Sequence, residues 1–202
     1  NFAKKSIRAA AAAILLADFP IISVNGNIAA LCPKEISQLA KISKSKVEVN
    51  LFYANEKRRQ NITKILKKNG VKEVLGADRK SLKKLSGLDS ARRFVDKNGI
   101  FAADLVLVPL EDGDRTLALS KAGKKVVTFD LNPLSRTAQT ADITIVDNVI
   151  RGMKELISSC KDLSKKNQSG LEKIVKDYDN KKILSEAILQ IQKYLKKRAN
   201  HA

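Results

Sequence analysis

Short apolar segments alternate with helix-forming segments along most of this 202-residue chain, and no other feature constrains its fold as strongly. Each apolar segment is four or five residues long, as expected for strands buried on both faces. The alternation predicts an α/β fold: an open, mostly parallel sheet with helices on both faces. The predicted strands are residues 21–24, 47–51, 71–75, 104–108, 125–129 and 143–146.

Segments of helical periodicity fill the intervals between these strands. Pro33 suits the first position of a helix, Asn55 can cap another, and Gly70 can end it. Residues 76–99 are polar with little periodicity, which predicts a surface insertion or a short helix. The predicted helices are residues 2–18, 33–44, 55–68, 113–120 and 148–160, with a short turn or helix at 135–138.

The character of the chain changes near residue 161. Residues 161–170 are polar, and residues 171–194 have the period of one further helix. We interpret residues 1–160 as one α/β domain and residues 161–202 as a helical C-terminal extension, packed on the domain or on a second subunit. The candidate apolar positions of this helix are Ile174, Tyr178, Leu184, Ile188, Ile191 and Leu195.

Several classes of function are disfavoured by composition. No apolar run approaches the ~20 residues that span a membrane, and the alanine-rich segment 9–17 lacks a cleavage site and is predicted to be a buried helix rather than a signal peptide. Cys32 and Cys160 have no CxxC partner, and His201 is the only histidine. These counts disfavour a zinc site, a Ser-His-Asp triad and a Cys-His dyad. A reducing cytoplasm fits the two isolated cysteines.

The net charge of +18 leaves three interpretations open. It can serve nucleic-acid binding, attract small anionic substrates, or reflect a lysine-rich solvated surface. The lysines are scattered as pairs, which favours a solvated surface over a dedicated nucleic-acid arm. Aromatic residues are also sparse for base stacking. A nucleic-acid-binding protein on an α/β fold remains the alternative function, and an assembly protein that uses the C-terminal helices is a third.

Four loops, each following an apolar strand, are dense in Asn, Asp, Gly or Arg. Turns favour the first three residue types but do not require Arg115, Arg136 and Arg151, whose planar guanidinium groups bind two oxygens of a phosphate or carboxylate. Helix N-termini at Ile28, Arg115 and Asn148 would add N–H groups for anions. Because parallel strands bring such loops to one edge, the sequence predicts an anion-binding α/β domain. The four loops are residues 24–27, 109–116, 130–137 and 146–151.

Five motifs carry a more specific signal. They are Asn25–Leu31, Val47–Tyr53, Leu107–Thr116, Asp130–Ala138 and Ile143–Asn148. Together and in this order, over about residues 1–158, they resemble the archaeal phosphopantothenate synthetase family, also called 4-phosphopantoate–β-alanine ligase. The resemblance implies a cytoplasmic, Rossmann-like homodimer acting on small molecules, with residues 1–160 as the catalytic domain that binds ATP and phosphopantoate.

The resemblance also implies a reaction. Enzymes of this family join 4-phosphopantoate to β-alanine on the archaeal route to coenzyme A. They cleave ATP to AMP and pyrophosphate through a phosphopantoyl adenylate, with Mg²⁺ accompanying the ATP. Such chemistry needs no covalent enzyme intermediate, because positioning and charge neutralisation can supply most of the acceleration.

Site residues follow from the matching motifs. For phosphopantoate, the resemblance implies Asn25, Gly26 and Asn27, with Asp112 and Arg115 lining the cleft. Arg136 and Asp112 are the candidate catalytic residues, with Asp112 or Asp114 as candidate base, and no protein ligand is assigned to the metal. A segment preceding the matched residues is expected to add arginine contacts to ATP. The implied ATP-binding residues are Asp130, Leu131, Asn132, Arg136, Thr137, Asn148 and Val149.

Overall fold

The computed structural model describes residues 2–200, apart from the side chains of Phe2 and Arg79; His201 lies outside this part of the chain. The helices are α1 (Phe2–Leu16), α2 (Gly26–Leu31), α3 (Pro33–Ser43), α4 (Glu56–Lys68), α5 (Gly113–Lys121), α6 (Arg136–Thr140), α7 (Val149–Leu163), α8 (Gln168–Lys176) and α9 (Asn180–Ala199). The strands are β1 (Pro20–Val24), β2 (Lys46–Val49), β3 (Val74–Leu75), β4 (Leu82–Lys84), β5 (Phe94–Asp96), β6 (Leu105–Leu107), β7 (Lys125–Phe129) and β8 (Ile143–Ile145).

Six strands form one sheet in the order β3-β2-β1-β6-β7-β8, and every neighbouring pair is parallel. Ile22 of β1 pairs with Val47 on one side and with Leu107 on the other. The strand order therefore reverses between β1 and β6, which is where ligands bind in doubly wound sheets. The predicted open, parallel α/β fold is confirmed.

Successive residues of the central strands enter two separate cores. Ile22 of β1 packs in a core with residues of α1, α3 and α7, whereas Ile21 packs in a core with α5 and residues 85–100. This alternation follows from the period of two along a strand. It explains why the strands are apolar throughout, since each face of the sheet is covered.

Alanines allow α1 to lie deep in the first core. Residues 9–13 are five consecutive alanines, each no more than 3% exposed. Their small side chains permit close approach of α7, α8 and β8, all of which contact α1. The prediction that this segment is a buried helix is confirmed.

The segment between β3 and β6, residues 76–103, differs from its prediction. It contains an antiparallel hairpin, β4–β5, and Val95 and Ile100 are fully buried in the second core. Glu48 of β2 accepts hydrogen bonds from the backbone N–H groups of Asp96 (3.0 Å) and Ile100 (2.6 Å). The expectation of a surface insertion or short helix holds in part, since short 3-10 helices lie at Arg79–Ser81 and Ala91–Arg93. The hairpin and the buried groups were not predicted, because they serve tertiary contacts that local periodicity does not reveal. We call residues 76–103 the insertion.

Burial gives the carboxyl group of Glu48 an unusually high pKa. Loss of solvation raises its pKa to about 7, although both backbone hydrogen bonds and the charge of Arg115 favour the ionised form. Gly99 lies directly against this carboxyl group, and a Cβ at that position would overlap Glu48 Oε2. Glu48 and Gly99 thus fasten the insertion to β2.

The C-terminal extension is two helices rather than the single helix predicted. α8 ends at Lys176, and Asp179 begins the separate helix α9 by accepting the N–H of Lys182. Asn180 then donates to the carbonyls of Ala138 (3.1 Å) and Ala141 (3.0 Å) and accepts from Thr144 N–H (2.9 Å). The start of α9 is therefore fixed to the domain.

Burial along α9 decreases towards its C-terminal end. Leu184 is buried as predicted, whereas Ile191 and Leu195 are exposed. α7 continues across residue 160 to Leu163, and the division of the chain at that residue stays a prediction. None of the helices in residues 2–200 has both the length and the apolar content to cross a membrane.

Candidate active site

The four loops singled out from the sequence follow β1, β6, β7 and β8, which are consecutive neighbours in the sheet. All four strands run in the same direction. Their carboxyl ends therefore meet at one edge, and the loops form a continuous rim across the point where strand order reverses.

Asn25 links the loop after β1 to the loop after β6 at this rim. Its side-chain oxygen caps α2 by accepting Ile28 N–H (3.1 Å), and its amide donates to the carbonyl of Leu110 (3.0 Å) beyond β6. Leu110 has a φ of 52°, a left-handed conformation that is uncommon outside glycine and asparagine. The Asn25 hydrogen bond helps to hold Leu110 in this strained backbone conformation at the rim.

Arg58 was missed by sequence reasoning. It lies in the first turn of α4, and a Cβ added to Gly26 would lie 3.1 Å from Arg58 Nη2. The guanidinium group therefore sits beside the Asn25–Asn27 loop and adds a positive charge there. Nothing in the local pattern separates Arg58 from the other basic residues of α4.

Asp112 shapes the loop after β6. It caps α5 by accepting Arg115 N–H (2.9 Å), and its other oxygen pairs with Arg92 of the insertion. Partial burial opposes ionisation, but the Arg115 N–H and the Arg92 guanidinium outweigh it and hold the pKa of Asp112 below its ordinary value. Asp112 is therefore an ionised, positioned carboxylate rather than a strong base.

Arg92, Glu111 and Arg115 form a buried charge cluster beneath the rim. Arg92 pairs with Glu111, and Arg115 Nε lies 3.4 Å from Glu111 Oε2. Burial raises the pKa of Glu111 in spite of the two arginines, and burial lowers that of Arg115. The cluster ties the insertion to the loop after β6.

Arg115 is completely buried, and its Nη1 donates to the carbonyl of Arg92 (2.6 Å). Its guanidinium is thus enclosed beneath the insertion rather than presented at the rim. Its implied contact with phosphopantoate stays a prediction that would require Arg92 to move. Arg92 itself was not singled out in the sequence, since its carboxylate partners are about 20 residues away.

The loops after β6 and β7 are joined by two contacts. Arg136 pairs with Asp114, and Thr137 Oγ1 donates to the carbonyl of Glu111 (3.0 Å). Gly113 makes this approach possible, because a Cβ there would lie 2.6 Å from Arg136 Cβ. Arg136 and Thr137 are therefore placed against the loop that carries Asp112.

The loop after β7 is prefolded by its own side chains. Asp130 accepts Asn132 N–H (2.9 Å) and the hydroxyl of Ser135, and Asn132 accepts Leu134 N–H (3.0 Å). Leu131 is 64% exposed. Four of the implied ATP-binding residues, Asp130 to Asn132 and Arg136, therefore lie on a shaped and accessible loop.

Asn148 begins α7 by accepting the N–H groups of Ile150 (3.0 Å) and Arg151 (3.5 Å). Val149 is buried, so its side chain secures the helix instead of facing solvent. Arg151 pairs with Asp147 of the same loop. Asn148 is thus placed on the β8 side of the rim.

No group of three or more His, Cys, Asp or Glu side chains that could hold a metal ion occurs within residues 2–200. Three of the rim carboxylates are engaged with arginines: Asp112 with Arg92, Asp114 with Arg136, and Asp147 with Arg151. The rim is a set of paired charges that an anionic ligand could rearrange.

The strand order and this polar rim define a Rossmann-like α/β protein, a class in which ligands bind at the switch point of the sheet. The chain belongs to the phosphopantothenate/pantothenate synthetase family, whose sequence model matches residues 2–194. The resemblance drawn from the five motifs is confirmed.

Curated relatives named 4-phosphopantoate–β-alanine ligase agree with this membership. The protein from Thermococcus kodakarensis is 50% identical over 191 residues, covering 94% of this chain and 72% of the relative. The Thermococcus onnurineus protein is 46% identical over 198 residues, covering 98% and 75%. The Methanosarcina mazei protein is 49% identical over 189 residues, covering 94% and 74%.

Proposed function

We propose that this chain is an ATP-dependent ligase that joins 4-phosphopantoate to β-alanine, giving 4′-phosphopantothenate for coenzyme A synthesis. The observation that carries the proposal is its 50% identity, over 94% of its length, to a relative named for that joining reaction. The nucleic-acid alternative receives no support from the family match or from these relatives.

The reaction has two steps in which atoms balance. The phosphopantoate carboxylate attacks the α-phosphorus of ATP, and pyrophosphate leaves. The deprotonated amine of β-alanine then attacks the acyl carbon of the phosphopantoyl adenylate, an amide C–N bond forms, and AMP leaves with the carboxylate oxygen. Both steps develop negative charge on phosphates, so positioned cations stabilise them.

In this proposal, ATP binds along the loops after β7 and β8. Arg136 neutralises phosphate charge there, and Asp130 accepts from ribose hydroxyls. Each oxygen of Asp130 already accepts one hydrogen bond, and carboxylate oxygens have capacity for a second. The exposed Leu131 offers an apolar surface to the adenine. Mg²⁺ would be held mainly by the ATP phosphates and would neutralise part of their charge, as is usual where the protein provides no dedicated cage.

In this proposal, phosphopantoate binds between the loops after β1 and β6. Asn25, Gly26 and Asn27 supply polar groups there, and Arg58 beside Gly26 supplies a cation for the substrate's own phosphate. Asp112, held ionised by Arg92, positions the α5 end of the loop. Its low pKa makes it a poor proton acceptor, so Asp114 is our candidate acceptor for the amine proton.

We further infer a cytoplasmic homodimer. The support for a partner is an apolar surface on the outer part of α9, where Ile191, Tyr194 and Leu195 share one face of the helix and are exposed. Sedimentation equilibrium of the full-length protein tests this inference, and a monomer at micromolar concentration would contradict it.

AMP release by the full-length native protein tests the proposed function. The assay contains ATP, Mg²⁺, 4-phosphopantoate and β-alanine, and AMP formation should require both acids. Arg136→Ala should abolish most of this activity, whereas the control Arg198→Ala should retain it, since Arg198 is an exposed arginine at the end of α9. Absence of AMP with the complete set of substrates would refute the ligase.

A further inference from the structure

Of the five sequence motifs, Val47–Tyr53 has no part in the substrate sites proposed above. It contains β2 and the segment that follows, and β2 lies beside β1 and parallel to it. Asn50 N–H donates to the carbonyl of Val24 (3.0 Å) where both strands end. The segment after β2 therefore leaves the sheet at the same rim, next to the loop after β1.

Two neighbouring aromatic rings are exposed in this segment. Tyr53 is 75% exposed and Phe52 is 46% exposed. Their ring centroids are 4.7 Å apart, in an edge-to-face arrangement. Single exposed apolar side chains are common, whereas an apolar patch surrounded by polar residues marks a binding surface. The pair is such a patch at the β2 end of the polar rim.

Contacts of the pair fix its place relative to the two flanking loops. Arg58 Nη1 donates to the carbonyl of Tyr53 (3.4 Å), and Arg58 Nη2 lies beside Gly26 of the loop after β1. The Phe52 ring centroid is 4.6 Å from the guanidinium carbon of Arg92, which pairs with the loop after β6. The rings are thus held by contacts to both loops that border the proposed phosphopantoate site.

This arrangement matches the chemistry of the acid substrate. In 4-phosphopantoate a carbon that bears two methyl groups stands between the phosphate-bearing methylene and the hydroxyl-bearing carbon next to the carboxylate. The methyl groups are therefore close to the phosphate. If the phosphate meets Arg58, the neighbouring Tyr53 ring is the apolar surface within reach of the methyl groups.

We propose that Tyr53 is a specificity-determining residue that recognises the two methyl groups of the acid substrate, with Phe52 supporting its ring. This inference rests on the proposed ligase and explains how that enzyme would select a branched acid. A hydroxy acid phosphate without the methyl groups would keep its contacts with cations but leave the ring uncovered. The ring would then contribute selectivity rather than charge neutralisation.

Phosphopantoate-dependent exchange of labelled pyrophosphate into ATP, measured without β-alanine, tests the proposal. We compare kcat/KM for phosphopantoate with that for the straight-chain analogue lacking both methyl groups. The wild-type protein should prefer phosphopantoate about 20-fold, the scale of burying two methyl groups. Tyr53→Ala should lower this preference about fivefold, through slower use of phosphopantoate and a change within about twofold for the analogue. Phe52→Ala should lower it about threefold.

Two control variants separate recognition from disturbance of the loop. Tyr53→Phe keeps the ring and should keep the preference within about twofold. Phe101→Ala removes a ring that is 46% exposed, as Phe52 is, but precedes β6 at the opposite edge of the sheet, and it should also keep the preference. All four variants should retain the thermal unfolding midpoint, because each side chain is partly or largely exposed.

Three results would overturn the assignment of Tyr53. They are a wild-type protein with no preference for phosphopantoate, a Tyr53→Ala protein with the wild-type preference, and equal losses on both acids in Tyr53→Ala. Equal losses would indicate a general effect on the loop and on Arg58. Absence of both AMP release and pyrophosphate exchange in the wild-type protein would instead overturn the ligase itself.

Discussion

Arg136, in the loop after β7, forms an ion pair with Asp114, in the first turn of α5, and both side chains are largely exposed. The pair closes the gap between the two loops that flank the candidate nucleotide site. If Arg136 binds ATP phosphates, the phosphates compete with Asp114 for the same guanidinium group.

Replacing Asp114 should therefore strengthen ATP binding. Asp114→Asn removes the competing charge, and we expect the Kd for ATP to fall two- to threefold, roughly the size of an exposed ion pair. The free energy of unfolding should change by less than about 1 kcal/mol. Equilibrium titration with ATP in the absence of both acids checks the first effect without involving the amine step, and an unchanged or higher Kd for ATP would argue against phosphate binding by Arg136.

Arg136→Ala should lower kcat/KM for ATP about 100-fold, the scale seen when one charge-stabilising donor is removed from an active site. Exchange of pyrophosphate into ATP should fall in parallel, because the lost interaction acts in the adenylation step. An intact exchange rate alongside slow AMP release would place Arg136 in the second step instead.

Glu48 should make the protein less stable as pH rises. Its folded pKa of about 7 lies above the ordinary value, so protonation favours the fold, and this stabilisation is lost as pH rises through 7. Between pH 5 and 8 the free energy of unfolding should fall by about 2 kcal/mol from this group. Glu48→Gln removes the titration, and denaturant unfolding across this range should then show a flatter profile; an equal slope in both proteins would contradict this assignment.

Gly99→Ala should destabilise the insertion, because the added methyl group would overlap the Glu48 carboxyl group. We expect a loss of about 2–4 kcal/mol, typical of overpacking combined with a broken buried hydrogen bond. Gly123→Ala is the control, since a Cβ there meets nothing within 4 Å and only the positive φ adds about 1 kcal/mol. Chemical denaturation compares the two, and equal losses would contradict the clash.

Asn180→Ala should detach the start of α9. The substitution leaves the carbonyl of Ala141 and the N–H of Thr144 without their partner and removes one of the two donors to the carbonyl of Ala138, which costs about 2–3 kcal/mol. Asn200→Ala, at the exposed end of the same helix, should be nearly neutral. Thermal unfolding and hydrogen exchange across α9 measure the difference.

Removal of Mg²⁺ should stop the reaction without affecting the fold. Within residues 2–200 no acidic or histidine cluster is suited to hold the ion, so EDTA should abolish AMP release yet leave the thermal midpoint of the ligand-free protein unchanged. A lower midpoint would reveal a structural metal.

The sequence predicted the sheet and its four polar loops because both depend on local patterns. Apolar runs identified β1, β6, β7 and β8, and cap residues such as Asn55 placed a helix start at the observed position. The insertion escaped prediction because Asp96 and Ile100 bond to Glu48, about 50 residues earlier. No short stretch of sequence contains both Glu48 and the backbone groups that it binds.

The roles of the arginines were harder to predict from the sequence than the positions of the strands. Arg115 stood out as a ligand contact but is enclosed. Arg58 and Arg92 did not stand out, yet Arg58 lies beside Gly26 and Arg92 pairs with Asp112. Burial of a charged side chain depends on which carboxylates fold around it, and those come from other segments. The residue type alone therefore identified the chemistry of the rim but not every side chain that supplies it.

The alanine-rich α1 has a consequence for how this protein is made. It leaves the ribosome before its neighbours, yet α7 and α8, which contact it, span residues 149–176. During synthesis the nascent chain therefore carries α1 without its packing surface until residues 149–176 have emerged. Packing of the first core is correspondingly delayed until those residues are made, and α1 is a natural site for chaperone binding in the interval.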